Sequence, residues 1–86
     1  MKTILEIAKL AQDKIVNFYQ GAGESEVNIS FCYSISSVDI EIVYPPHVSK
    51  LFSELHTLCT QLKFENHITE FNISISSSKL RVSLTQ

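Results

Sequence analysis

The apolar residues of this chain twice change their spacing from a three-to-four-residue step to a two-residue step, and this double switch limits the fold more than any other feature. Ile4, Ile7, Ala8, Ala11, Ile15 and Phe18 recur at helical intervals, with Glu6, Asp13, Asn17 and Gln20 on the opposite side. Thr3 and Glu6 have the Thr-x-x-Glu spacing of a capping box, in which each side chain satisfies a free N–H at a helix start. The helix is expected to stop near Gly21 or Gly23, because glycine tolerates the left-handed turn that closes helices.

From Val27 the period is two. Val27, Ile29, Phe31, Tyr33 and Ile35 alternate with polar residues, and after a turn near Ser37-Val38 so do Ile40, Ile42 and Tyr44. Residues 27–44 therefore read as a β-hairpin with one buried face. Pro45-Pro46 ends the strand for lack of a ladder donor, and Pro46 suits the first turn of a helix. Val48, Leu51, Phe52, Leu55, Leu58, Cys59 and Leu62 then form a second amphipathic face. A polar link through Glu65-Asn66-His67 leads to a second hairpin, in which Phe71, Ile73 and Ile75, then Leu80, Val82 and Leu84, are the inward residues.

The order is αββαββ. One apolar face per hairpin and one apolar stripe per helix imply an α+β two-layer sandwich, with two helices packed on one face of a four-stranded antiparallel sheet. This order is a circular permutation of the ferredoxin-like βαββαβ order, a resemblance of topology without a family motif, and it implies that strands two and four are central neighbours. The alternative makes those strands edges. The halves, 1–44 and 45–86, also match at a shift of 40: residues 31–44 and 71–84 share five identities in 14 positions. Strand patterning alone generates much of such a match, so an internal duplication is one reading and shared patterning the other.

Eighty-six residues suit one domain, residues 1–86, which would bury roughly 60–65% of its unfolded surface. Seven basic and nine acidic residues give a formal charge of −2, with no run of lysine or arginine. Nucleic-acid affinity draws largely on neutralising phosphates, and polybasic membrane contact on clustered cations, so both are disfavoured. A charge interrupts the first residues before any secretory apolar run, no stretch has the length of a membrane span, and two cysteines are too few for a disulfide framework. A soluble cytoplasmic protein with reduced thiols is expected. The triplets Asn28-Ile29-Ser30 and Asn72-Ile73-Ser74 then read as strand residues, not glycan acceptors.

The chemistry-bearing residues do not gather into a catalytic or metal motif. His56 and Cys59 are three apart, but structural zinc takes about four ligands, usually as two close pairs, and His47 and His67 lie outside the helix. Cys59 falls on the apolar stripe, a setting that does not activate a thiol, and Cys32 has no predicted histidine nearby. Gly-x-Gly-x-x-Gly, phosphate-loop and Gly-x-Ser-x-Gly patterns are absent. No enzyme activity, cofactor or metal is expected.

The outer sheet face is expected to carry Ser30, Ser34, Ser36, Ser74, Ser76, Ser83, Asn28 and Asn72, with Asp39 and Glu41 on strand two facing Lys79 and Arg81 on strand four. Ferredoxin-like sheets often bind RNA through aromatic residues on such a face, but Phe31, Tyr33, Tyr44 and Phe71 all have the parity of the buried side. The expectation is a small protein-binding module contacting its partner through Ser34, Asp39, Glu41, Ser74, Lys79 and Arg81. A homodimer or other homo-oligomer, structural or binding a small ligand between subunits, is the second reading, and a weak single-strand nucleic-acid binder the third.

Overall fold

A computed structural model describes residues 2–24 and 26–86. Among them the elements follow as α1 (Ile4–Gly21), β1 (Asn28–Tyr33), β2 (Ser37–Val43), α2 (Val48–Phe64), β3 (Glu70–Ile75) and β4 (Lys79–Thr85). All strand pairings are antiparallel and the sheet order is β1-β2-β4-β3. This is the expected α+β fold, with β2 and β4 in the centre.

Helix α1 starts where the Thr3–Glu6 spacing places it. The Thr3 hydroxyl accepts from the Glu6 N–H at 3.2 Å, and the Glu6 carboxylate accepts from the Thr3 N–H at 3.3 Å. The Thr3 N–H and, at 3.1 Å, the Thr3 hydroxyl both donate to the Glu6 carboxylate, and these two bonds hold it below its usual range. Its end is a Schellman motif. The Gly23 N–H donates to the Gln20 carbonyl and the Glu24 N–H to the Tyr19 carbonyl, with Gly23 left-handed at φ +76°. Helix α2 ends the same way with Asn66 (φ +62°) in the glycine's place, and the Asn66 and His67 N–H groups donate to the Lys63 and Leu62 carbonyls.

The start of α2 differs from expectation. Pro46 lies before the helix rather than in its first turn, and the N-cap is His47, left-handed at φ +54°. Tyr44 is also left-handed, at φ +51°, so two side-chain-bearing residues in a glycine-favouring conformation bracket Pro45-Pro46. The reversal from β2 into α2 is completed within these four residues. That delays the helix by two residues and swings Tyr44 off the sheet, leaving it 76% exposed.

The hairpin ends also move. Ile35 belongs to the turn, not to β1, and is 94% exposed, because the Ser34 N–H already donates to the Ser37 carbonyl and closes the ladder there. Strand β2 consequently begins at Ser37 and takes Val38 into the core. Tyr33 keeps its inward parity but is 57% exposed. The expectation that every strand aromatic is buried therefore fails for Tyr33 and Tyr44, while Phe31 and Phe71 pack half-buried against the core.

The centre of the core is the inner face of β2 and β4. Val38, Ile40, Ile42, Leu80, Val82 and Leu84 are fully buried beneath Ile7, Ala11 and Ile15 of α1 and Leu51, Leu55, Cys59 and Leu62 of α2. Each large aliphatic side chain contributes roughly 1.5–3 kcal/mol through burial. Tyr19 continues the α1 stripe one step past Ile15. It is buried, and its hydroxyl donates to the Pro46 carbonyl at 3.1 Å, tying the end of α1 to the start of the second half.

The duplication is not confirmed. The hairpins correspond at an offset of 42, Asn28 to Glu70 and Ser37 to Lys79, whereas the buried helix positions Ala11, Ile15 and Tyr19 correspond to Leu51, Leu55 and Cys59 at an offset of 40. At 40, Ser34 and Ile35 in a turn are equated with Ser74 and Ile75 in a strand, so those identities join positions that the fold does not equate.

The two glycines at the end of α1, Gly21 within it and Gly23 just beyond, should respond oppositely to alanine. Neither added methyl meets an atom within 4 Å, so only backbone preference acts. Gly21→Ala, inside the helix, should stabilise by roughly 0.5–1 kcal/mol, and Gly23→Ala, in the left-handed position, should destabilise by roughly 1–2 kcal/mol, as measured by denaturant unfolding. The same sign for both would contradict the Schellman ending.

Candidate binding surface

Backbone pairing determines what each strand shows to solvent. In an antiparallel ladder, hydrogen-bonded and non-hydrogen-bonded residue pairs alternate, and side chains of the latter stand closer together. The Tyr44 N–H donates to the Ser78 carbonyl, and the Gln86 N–H to the Ser36 carbonyl. With the β2–β4 register, these two bonds make Asp39↔Ser83 and Glu41↔Arg81 non-hydrogen-bonded pairs. Both point away from the helices, at the centre of the outer face.

Side-chain geometry agrees with this pairing. The Ser83 hydroxyl donates to the Asp39 carboxylate at 2.6 Å. Glu41 lies directly opposite Arg81, and its carboxylate meets the Lys79 ammonium diagonally at 3.5 Å. Both members of that ion pair are solvated, so it contributes only roughly 0–1 kcal/mol. Among the described residues the Arg81 guanidinium has no carboxylate within 4.0 Å.

Five of the six expected contact residues converge here. Glu41, Ser74, Lys79 and Arg81 line a shallow depression of about 260 Å³, and Asp39, Glu41 and Arg81 share a second of about 180 Å³ with Ser30 and Cys32. Ser34 does not join them. It lies in the β1–β2 turn, where its hydroxyl pairs with that of Ser37 at 2.9 Å, because the strand ends a residue earlier. Ser36 and Ser76 are likewise turn residues; the Ser76 N–H donates to the Lys79 carbonyl.

Cys59 is buried in the core, and that burial pushes its thiol up to about 12. His56 is not directed toward it as a catalytic or metal-binding partner: its ring stacks on Phe52 at 5.9 Å and meets Phe71 edge-on at 5.8 Å. Among the described residues no three His, Cys, Asp or Glu side chains gather as metal ligands would, and no helix is long and apolar enough to cross a membrane.

Sequence reasoning missed one feature. A groove of about 520 Å³ runs between the second half of α1 and the start of β1, lined by Val16, Tyr19, Gln20, Gly23, Glu24, Val27 and Ile29. Tyr19 carried a detectable signal, since it lies four residues beyond Ile15. The groove itself depends on β1 being an edge strand, which follows from the strand order.

A scan against protein-family models finds no match to this chain, and a search of curated proteins finds none either.

Thiol labelling tests the assignment of the two cysteines. In the native protein at neutral pH, one equivalent of a thiol-specific reagent should react, at exposed Cys32, and the second should react only on unfolding. Ionisation of Cys59 is suppressed in the fold, so its contribution to stability is complete below pH 9 and is lost as pH rises towards 12. Fast native labelling of Cys59 would contradict its core position.

Proposed function

We propose that this chain is a small non-catalytic protein-binding module. It acts by covering or occupying a site on a larger partner, as inhibitors, immunity-type proteins and mobile-element accessory proteins do, in the cytoplasm with its thiols reduced. The observation that carries this reading is the outer sheet face. The helices pack on the opposite side, and the outer face combines small hydroxyl and amide side chains with Asp39, Glu41, Lys79 and Arg81 near its centre. Small side chains permit close approach, and mixed charges favour a partner surface with complementary signs over a uniformly charged polymer. Its strand positions offer no aromatic platform for stacking bases, which sets nucleic-acid binding behind protein binding.

Homo-oligomerisation is the second reading, favoured by the edge strands. Neither β1 nor β3 contains lysine, arginine, proline or glycine, residues that commonly guard an edge against pairing. A molar mass that stays monomeric across a concentration series would remove it.

The test of the main reading is recovery of a partner from native lysate with the intact chain as bait. Wild type should retain a stoichiometric protein. Ser74→Arg, which places bulk on the exposed outer face, should lose most of it while staying folded, with a Tm slightly lowered by the like charge of Arg81 directly opposite. Recovery of no stoichiometric protein, or full retention by Ser74→Arg, would overturn the outer-face proposal.

A further inference from the structure

The two edges of the sheet are finished differently. At the β3 edge, the His56 ring of α2 stacks on Phe52 and meets Phe71 edge-on at 5.8 Å. At the β1 edge, a groove of about 520 Å³ lies between α1 and the strand. Val16, Tyr19 and Gln20 form its helix side, Val27 and Ile29 its strand side, and Glu24 stands at one end.

The ladder directs the backbone of β1 towards this edge. The Ser34 N–H donates to the Ser37 carbonyl, and alternation along the β1–β2 register then pairs Cys32, Ser30 and Asn28 with β2. Ile29, Phe31 and Tyr33 therefore point their N–H and C=O groups outwards. A strand added about 4.8 Å beyond β1 would accept those hydrogen bonds, and its helix-side residues would fall into the groove against Ile29 and Val16.

We propose that the β1 edge and this groove form a strand-addition site for an extended segment of a partner protein. The segment is apolar at alternate positions and carries a basic residue at the end that reaches Glu24. Charge selects this occupant over a second copy. The Glu24 carboxylate is partly exposed, and its neighbour His47, at 3.3 Å, answers it only when protonated. The chain's own β1, Asn-Ile-Ser-Phe-Cys-Tyr, would bring no cation to it. This inference rests on the protein-binding reading but not on the outer face as the contact surface.

The test uses the full ¹⁵N-labelled chain and the synthetic peptide acetyl-Lys-Val-Thr-Val-Thr-Val-amide. Saturation should slow amide exchange at Ile29 and Phe31 and shift the resonances of Val16, Gln20 and Val27. N-methylating alternate peptide amides should remove two hydrogen bonds and weaken binding roughly tenfold. Glu in place of the peptide Lys should also weaken it, and Gln20→Trp, which fills the groove from an exposed position, should abolish it. In the lysate experiment Gln20→Trp should lose the partner, independently of what Ser74→Arg does. Lack of response at millimolar peptide, or shifts confined to Glu41, Ser74 and Arg81, would overturn the strand-addition site and leave the protein-binding reading intact. Concentration-dependent protection of Ile29 and Phe31 without peptide would overturn it in favour of a second copy.

Discussion

The antiparallel pairing of β2 with β4 is the constraint on which the rest of the structure depends. It is the only pairing that joins the two helix-plus-hairpin units within the described sheet, and its inner residues are the six fully buried strand side chains of the core. Either hairpin alone would expose one flank of that apolar face. Joined centrally, the hairpins make a surface wide enough for α1 and α2 to lie side by side, and all backbone groups of the middle strands are used within the ladder. The Tyr19 hydroxyl bond to Pro46 and the side-chain bond from Gln86 to the Lys2 carbonyl tie the sequence-distant ends of the units onto that centre.

The same pairing sets where chemistry can occur. It places Asp39, Glu41 and Arg81 in the middle of an open face, where Asp39 accepts from the Ser83 hydroxyl and Glu41 meets the Lys79 ammonium, and it sends β1 and β3 to the edges. Helix α2 meets its edge strand through His56 on Phe71, while a groove lies between α1 and β1. This asymmetry follows from side-chain size. His56, stacked on Phe52, reaches across to Phe71, whereas Val16 and Gln20 line an open groove with Ile29. The two edges are thus unlike, and the β1 edge joins outward-facing backbone groups to a groove of about 520 Å³.

Much of this was legible in the residues. Helical and alternating periods located all six elements, the Thr3–Glu6 spacing gave the first cap, and the opposed charges on strands two and four were consistent with their being neighbours. Misplaced features were those where local backbone geometry overrode pattern. The two-residue period runs on through Ile35 and Tyr44, but a closed turn and a left-handed residue end the strands first, so Ser34 left the expected site and Ile35 and Tyr44 left the expected core. Pro46 carries a helix-start preference, yet His47 at positive φ delays the helix. The groove was illegible because it lies between elements, and no spacing along the chain encodes how far α1 stands from an edge strand.

The most direct test of this account is the nuclear Overhauser contact between Hα protons across β2 and β4. In non-hydrogen-bonded antiparallel pairs the Cα atoms approach to about 4.5 Å, close enough for a strong signal. The account predicts strong Hα–Hα contacts for Glu41 with Arg81 and for Asp39 with Ser83, unchanged on dilution. Absence of both, with β1 instead contacting β3 or β4, would contradict the central pairing and with it the assignment of the outer face and of the free β1 edge.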